Sequence, residues 1–351
     1  MVTFFIGNGF DLQIGLKTKF EHFYDTYAVV HEEDSDVIIK FKNDITEDKD
    51  KYGNYEKWAD FESYLGKYIE RYSNSEHILE WFNDFVFEFD RYLVYECAKI
   101  DWENIDKTTI NNFRNSIRTF YSNIKSIRPD DSLRMNYIET SVNFIQFNYT
   151  DAFNRLIEEA DIGSFGRNKG FKGIVKLGDN LNVHGTCGGG HIVMGLDNET
   201  QIVNKPLIDS TKDFIVKPLY LNMHHERDVN QTDIRETALA AISKSSVFCA
   251  FGCSMGETDI YWWEAVGERL KAENVRFVIF DKCVDVTTPN GSVSIIVKNR
   301  RYIEKRKNEI IKQFLTTAKL DENWYNENQE KIIVELNSDM FGFQLPKIEA
   351  Q

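Results

Sequence analysis

Residues 3–20 read TFFIGNGFDLQIGLKTKF, a short apolar run followed by a Gly-Asn-Gly turn. The run over residues 2–6 is rich in strand-forming side chains and ends at a glycine, so it predicts a buried strand. Gly7 and Gly9 allow a sharp turn and the close approach of a phosphate, and a helix N-terminus behind them would add positive potential. A dinucleotide fingerprint requires its third glycine at position 12, where Leu12 stands, so the standard pattern fails. A phosphate-binding loop and a plain strand-to-helix turn both remain open.

Further strand-like runs return later in the chain, with helical patterns between them. The predicted strands cover residues 142–147, 175–183, 192–195, 246–252, 275–280 and 292–297, and the predicted helices cover 151–160, 233–244 and 257–271. Strands that alternate with helices are typical of a parallel sheet, because each crossover places a helix on one face. The sequence therefore predicts an α/β fold, Rossmann-like, with a mostly parallel sheet and helices on both faces.

The domain organisation is predicted from a change in composition and apolar pattern along the chain. Residues 31–140 carry Trp, Phe and Tyr at helical intervals and predict a helical insertion. Residues 1–30 and 141–320 then form the nucleotide-binding core, which ends in a polar helix over residues 300–317. Residues 321–351 are acidic and are expected to form a C-terminal tail.

Composition limits the class of protein. A hydrophobic share of 42% and a charged share of 28% are ordinary for a globular chain. The net charge of −14 disfavours nucleic acid as a partner, because phosphate backbones require a basic surface. The five cysteines include no CxxC pair and suit reduced thiols. The chain opens without a signal peptide and contains no bilayer-length apolar run, so we expect a cytoplasmic protein without membrane attachment.

Polar residues directly after the strands are candidate ligand contacts, because open α/β sheets bind ligands at the carboxyl ends of their strands. Asn148 is a neutral donor and acceptor, suited to a sugar hydroxyl or a water, although such residues are also common in turns. His184 precedes Gly185 at a strand end, as a general base often does, or it caps a loop. His184, Cys187 and His191 also have metal-ligand spacing, but a fourth ligand is not close by in sequence.

Two more strand ends complete the candidate site. Gly252 and Ser254 bring small residues and a hydroxyl that suit a ribose or phosphate. Asp281 follows the next strand and is a candidate for an adenosine ribose hydroxyl, or a turn aspartate. Glu257 and Asp259 open the following helix, where acidic side chains favour the helix dipole.

The chain resembles the AbiH family of bacterial phage abortive-infection proteins. The motifs occur in family order over nearly the full chain, and they are GNGFDLQIGLKTKF, Trp58 with Asp60-Phe61-Glu62, FNYTD, NVHGT, VMGLDN and FGCSMGETD. That family in turn is similar to the Sir2-like fold, as a distant branch. The resemblance implies an antiphage protein that acts on a nucleotide.

The Sir2-like resemblance implies roles for particular residues. Asn148 matches the catalytic asparagine of sirtuins, and His184 matches their catalytic histidine. The residues that would hold the nucleotide are Gly7, Asn8, Gly9, Asp11, Gly15, Gly252, Ser254 and Asp281. Two departures count against protein deacylation: Thr150 replaces an acidic residue, and the four zinc cysteines are missing.

The resemblance therefore implies an NAD hydrolase that depletes cellular NAD on infection and releases nicotinamide and ADP-ribose. NAD, or a related nucleotide, is the expected substrate, and neither a metal nor another cofactor is expected to be required. Because constant hydrolysis would be lethal, we expect gating, by a phage-derived activator or by homo-oligomer formation. The alternatives are a non-catalytic nucleotide-binding sensor and a different nucleotide hydrolase.

Overall fold

A computed structural model describes residues 1–53, 55–125, 139–162, 174–189, 192–217, 233–283, 286 and 293–348. Among them lies a six-stranded sheet in the order β3-β2-β1-β4-β5-β6, and every strand pair is parallel. The strands are β1 (Val2–Ile6), β2 (Glu139–Gln146), β3 (Ile174–Asn182), β4 (Val247–Phe251), β5 (Arg276–Asp281) and β6 (Ile332–Leu336). This confirms the predicted α/β class and its parallel sheet, and the order is that of a Rossmann-like fold.

Helices cover both faces of the sheet. They are α1 (Gly9–Gln13), α2 (Phe20–Tyr27), α3 (Asp36–Tyr52), α4 (Phe61–Tyr68), α5 (Ser75–Cys97), α6 (Lys107–Arg118), α7 (Ala152–Glu159), α8 (Ile208–Ile215), α9 (Ile234–Lys244), α10 (Ile260–Leu270), α11 (Val293–Thr317) and α12 (Glu322–Glu327). Phe4 belongs to a core cluster with α6 and α7, and its neighbour Phe5 to one with α9, α10 and α11. Since successive strand residues face opposite sides, a strand buried on both faces needs a continuous apolar run.

A third apolar cluster forms a helical layer of α2, α3, α4 and α5 together with residues of α8. Its aromatic rings pack closely, with centroids 4.1 Å apart for Phe61 and Phe85 and 4.3 Å apart for Phe41 and Trp81. Such rings bury large areas and prefer stacked or edge-to-face contacts, so they hold the layer together. None of the described helices is long and apolar enough to cross a membrane.

Three details of the predicted organisation were wrong. Residues 293–297, predicted as a strand, begin α11, and Val293 is 74% exposed there, so the β-branched run lies on an outer helix face. Residues 192–195 form no strand, and the bridge next to them joins Leu196 and Val216. The acidic tail includes α12 and β6, because the apolar run of β6 pairs with β5 despite its charged surroundings.

Candidate functional site

A cavity of about 560 Å³ lies at the carboxyl ends of the strands, where the strand order reverses between β1 and β4. This size is within the range of small-molecule sites, and the topological switch point is where α/β sheets bind ligands. The cavity brings together seven of the residues selected from the sequence, namely Gly7, Asn8, Gly9, His184, Gly252, Ser254 and Asp281. Residues of the helical layer also line the cavity, namely Phe20, Asp60, Glu62 and Phe89.

The glycines of the first loop are required by a contact between two loops. A Cβ at Gly9 would lie 2.4 Å from the Cα of Gly252, and one at Gly7 would lie 2.5 Å from the Gly252 carbonyl oxygen. The amides of Gly7 and Gly9 donate to the carbonyl oxygens of Phe251 at 3.0 Å and of Gly252 at 2.9 Å. These two N–H groups are therefore engaged within the protein. Phosphate binding by this loop stays a prediction.

Asn8 and Gly15 take different positions around the same loop. The Asn8 side chain lines the cavity, and its amide donates to the carbonyl oxygen of Thr18 at 3.2 Å while its Oδ1 accepts from the Thr18 hydroxyl. Gly15 does not line the cavity. It has a φ of +100°, which favours glycine, and this turn separates α1 from α2.

Asp11 and Asn148 meet beneath the cavity, outside its lining. The Asn148 amide donates to Asp11 Oδ1 at 3.1 Å, and the Thr150 hydroxyl donates to the same oxygen at 2.9 Å. All three side chains are fully buried. Burial raises the pKa of Asp11 to about 7, against which the two hydrogen bonds act. The direct catalytic role of Asn148 and the ligand contact of Asp11 stay predictions.

His184 belongs to a buried polar cluster that sequence reasoning did not assemble. Its Nε2 lies 2.8 Å from Asp259 Oδ1. The Lys217 Nζ donates to Asp259 Oδ1 at 3.1 Å, to the Thr258 carbonyl oxygen at 3.0 Å and to Glu62 Oε2 at 3.3 Å. Each of the four side-chain partners is at most 9% exposed. The contacts bring together residues that are far apart in the sequence.

Hydrogen bonds to or from the backbone hold three members of the cluster in place. Glu62 lies in the first turn of α4, and its Oε1 accepts from the Gly195 amide at 2.8 Å. The Lys217 amide donates to the Leu196 carbonyl oxygen at 2.7 Å. His184 follows β3, and its carbonyl oxygen accepts from the Val193 amide at 2.8 Å.

The charges of the cluster depend on one another. Although burial disfavours each charged form, Lys217 and His184 hold the pKa of Asp259 well below its usual range. Burial raises the pKa of Glu62 despite the opposing effect of Lys217. Burial also lowers the pKa of Lys217, but the two carboxylates outweigh it and the net pKa is raised. The lysine is thus the buried cation that compensates two acidic side chains.

The Nε2 atom of His184 has two polar neighbours in the cluster. It lies 2.8 Å from Asp259 Oδ1 and 3.2 Å from the Lys217 Nζ. The Nδ1 atom is buried and has no hydrogen-bond partner within the described parts of the chain. A histidine oriented by a carboxylate, with its other nitrogen unengaged, is how a general base is arranged.

Aromatic side chains surround this histidine. The Tyr149 ring stacks on His184 with centroids 5.5 Å apart, and Phe147 meets the imidazole edge at 5.5 Å. Phe89 and Trp263 extend the apolar wall. The arrangement excludes water from one side of the imidazole and offers flat surfaces to a planar ring.

Two cationic side chains, Arg306 and Lys19, also line the cavity. The Arg306 guanidinium donates to Asp281 Oδ2 at 2.5 Å, and its side chain is 40% exposed. Lys19 also lines the cavity and pairs with Glu21 at 3.0 Å. The Ser254 residue is exposed. The site is therefore acidic and aromatic around His184, with cationic groups elsewhere on its wall.

The metal-ligand spacing of His184, Cys187 and His191 is only partly covered by the described residues. His191 of the proposed metal spacing lies outside the described residues. Among the residues that are described, no group of three or more His, Cys, Asp and Glu side chains is arranged to hold a metal ion.

Together, the sheet order and the cavity define a Rossmann-like α/β protein with a cavity of small-molecule size at its topological switch point. A family model described as "Bacteriophage abortive infection AbiH" matches residues 3–281. The chain belongs to this family, which assigns it to phage abortive-infection defence. A search of curated proteins found no match. The family match covers every strand end that lines the cavity.

Proposed function

We propose that this protein is an NAD hydrolase that cleaves the bond between nicotinamide and ribose during phage infection. The observation that carries the proposal is the buried pair of His184 and Asp259 on the wall of a nucleotide-sized cavity, with Nδ1 of the histidine unengaged by the described residues. Burying four ionisable side chains together makes the free energy of folding less favourable. A catalytic role would explain why the protein has such a cluster.

The proposed step is a transfer of ADP-ribose to water. The nicotinamide bond breaks with its electron pair leaving on the nicotinamide nitrogen, and a positive charge develops on the ribose ring. His184 accepts one proton from the attacking water, whose oxygen bonds to the ribose carbon. Asp259 stabilises the resulting imidazolium, since their hydrogen bond is already formed. The products are nicotinamide, ADP-ribose and a proton.

The charge distribution of the cavity favours one orientation of the substrate. The two carboxylates Glu62 and Asp259 outnumber their one cation, Lys217, beside the histidine, where the positively charged ribose would form. Tyr149 and Phe147 offer ring faces to nicotinamide. Arg306 would then be available to the pyrophosphate. This orientation assigns the adenosine end to the region of Asp281, as the resemblance to sirtuins implies.

In this proposal Asn148 acts through its neighbours. Its amide is bound to Asp11, and the next residue is Tyr149, whose ring stacks on His184. Holding this backbone segment in place would keep the tyrosine ring against the imidazole. We therefore assign Asn148 a positioning role in the described conformation.

The proposal is tested in infected cells, where an activator would be present. Cells with the wild-type protein should lose NAD after infection and release few phage. His184→Ala should slow NAD loss by about 10²–10⁴-fold, the usual contribution of a general base, and abolish protection. His31→Ala, at an exposed histidine between α2 and α3, is the matched control and should behave as wild type.

A second variant separates hydrolysis from sensing. Asp259→Asn removes the charge that stabilises the imidazolium while keeping the shape of the side chain, so it should retain NAD binding by calorimetry and lose turnover. A sensor without chemistry would keep phage protection in any variant that still binds NAD. Normal NAD loss in cells with His184→Ala would reject the hydrolase proposal.

A further inference from the structure

Two cysteines from different parts of the chain lie next to each other beside the cavity. Cys97 ends α5, and Cys187 lies in the segment after β3, three residues beyond His184. Their sulfur atoms are 4.0 Å apart, within hydrogen-bond distance for thiols, and both residues are partly buried. A disulfide requires sulfur atoms at about 2.05 Å, so a movement of about 2 Å would allow a covalent bond.

Two hydrogen bonds hold the segment that carries Cys187, one to the loop after β2 and one to α5 of the helical layer. The Cys187 amide donates to the Tyr149 carbonyl oxygen at 2.7 Å. The Gly188 amide donates to Asp90 Oδ1 of α5 at 3.0 Å. Gly188 has a φ of +83°, a conformation that glycine adopts without strain. These contacts hold the two thiols together before any bond forms.

We propose that Cys97 and Cys187 are an oxidative modification site at which a peroxide forms a disulfide between α5 and the segment that carries His184. The chemistry is balanced with hydrogen peroxide as the oxidant. One thiol attacks a peroxide oxygen, gives a sulfenic acid and releases one water. The second thiol then attacks that sulfur, the disulfide forms, and a second water leaves with the sulfenic oxygen.

The two cysteines have different roles in this sequence. Contact with Cys187 and burial raise the pKa of Cys97, which disfavours its thiolate. We therefore expect Cys97 to react more slowly with peroxide and to act as the resolving thiol. It then loses its proton as it attacks the sulfenic sulfur of Cys187, and that proton leaves in the second water. In contrast, Cys249 is fully buried in β4, where the same attack is blocked.

The disulfide between Cys97 and Cys187 would affect the candidate site by restraining the backbone segment that carries His184. It joins residues 97 and 187, and so closes a long loop between the helical layer and the sheet. The segment from His184 to Gly188 would be fixed at both ends, by β3 and by α5. Disulfides in reducing compartments are usually catalytic or redox-sensing, and this one would connect the cavity to the oxidation state of the cell.

The test uses the full-length reduced protein and hydrogen peroxide, and it needs no substrate. Thiols are counted after denaturation, and peptides are mapped by mass spectrometry. We expect the count to fall from the five cysteines of the chain to three, with a peptide that joins Cys97 to Cys187. Reductant should restore five. Hydrogen exchange in residues 184–189 should slow in the oxidised form. This outcome is independent of whether the protein hydrolyses NAD.

Single variants test the assigned order. Cys97→Ser should accumulate a sulfenic acid at Cys187 that dimedone traps, whereas Cys187→Ser should leave Cys97 reduced. Cys283→Ser, at a buried cysteine elsewhere, is the control and should still lose two thiols. The proposal fails if the wild-type protein keeps five thiols or if the cross-link maps to another pair. Because the wild-type map decides this, poor folding of a variant does not affect the result.

Discussion

Replacing Asp11 by asparagine should stabilise the protein at neutral and alkaline pH. The Asp11 carboxylate is fully buried, and its Oδ1 accepts hydrogen bonds from Asn148 at 3.1 Å and Thr150 at 2.9 Å. Its Oδ2 and the Oδ1 of Asn148 have no partner within the described chain. Asparagine keeps the accepting oxygen, removes the charge, and supplies an N–H in place of the unpartnered oxygen. The variant therefore avoids the cost of a buried anion.

The magnitude follows from the pKa of Asp11, which burial raises from 3.8 to about 7. Because the folded-state pKa is the higher one, the folded protein binds more protons, and stability falls as the pH rises from about 4 to about 7. Below about pH 3.8, the pKa of Asp11 in the unfolded chain, the carboxyl is protonated in both states and the full stability is present. Each pH unit in this window contributes about 1.4 kcal/mol. From pH 5 to pH 8, the advantage of Asp11→Asn should therefore grow by about 3 kcal/mol.

The assay is urea unfolding of the wild-type and variant proteins at pH 5 and pH 8, followed by tryptophan fluorescence. Asp50→Asn, at an exposed carboxylate of α3, is the matched control and should show no such pH-dependent difference. If Asp11→Asn were more stable than wild type by the same amount at pH 5 and pH 8, the raised pKa of Asp11 would be refuted. A variant less stable than wild type at pH 8 would refute the argument about the buried anion.

Two further substitutions test the cluster and the loops. Lys217→Met leaves two buried carboxylates without their cation and should cost about 3–5 kcal/mol at pH 7 by urea unfolding. That deficit should shrink towards pH 4, where the carboxylates bind protons, and an equal deficit at both pH values would contradict this account. Gly9→Ala brings a Cβ within 2.4 Å of the Gly252 Cα and should cost at least about 1–3 kcal/mol. Gly256→Ala, whose nearest neighbour is 3.6 Å away, should change the melting temperature little.

The sheet could be predicted from the sequence where a strand is buried on both faces. The runs that form β1, β4 and β5 are short, apolar and bounded by glycine or polar residues. Both their apolar pattern and their length therefore predict buried strands. Prediction failed where one local pattern suits two structures. The β-branched residues 293–297 resemble a strand, but the long helical sequence after them extends back through them. The apolar run of β6 was hidden by its acidic surroundings, although the strand pairs with β5.

The candidate site could be predicted only where its residues follow strands. His184 and the glycines were selected because their position in the fold followed from the strand pattern. Glu62 was part of a quoted motif without an assigned role, and Asp259 was explained by the helix dipole. Lys217 carried no local pattern, because what makes it important is its contact with side chains from three distant segments. Such a cluster becomes visible only when the tertiary structure is known.

The Gly-Asn-Gly turn shows why a glycine pattern alone does not identify a phosphate-binding loop. A Cβ at Gly7 or Gly9 would collide with the backbone around Gly252, so the contact between the β1 and β4 loops is sufficient to require these glycines. The same contact engages their N–H groups, which a phosphate cradle would use. If the cavity holds a dinucleotide, its phosphates must therefore find other donors. Arg306 on α11 and Lys19 before α2 have the charge and the exposure for this, and neither is part of the Gly-Asn-Gly turn.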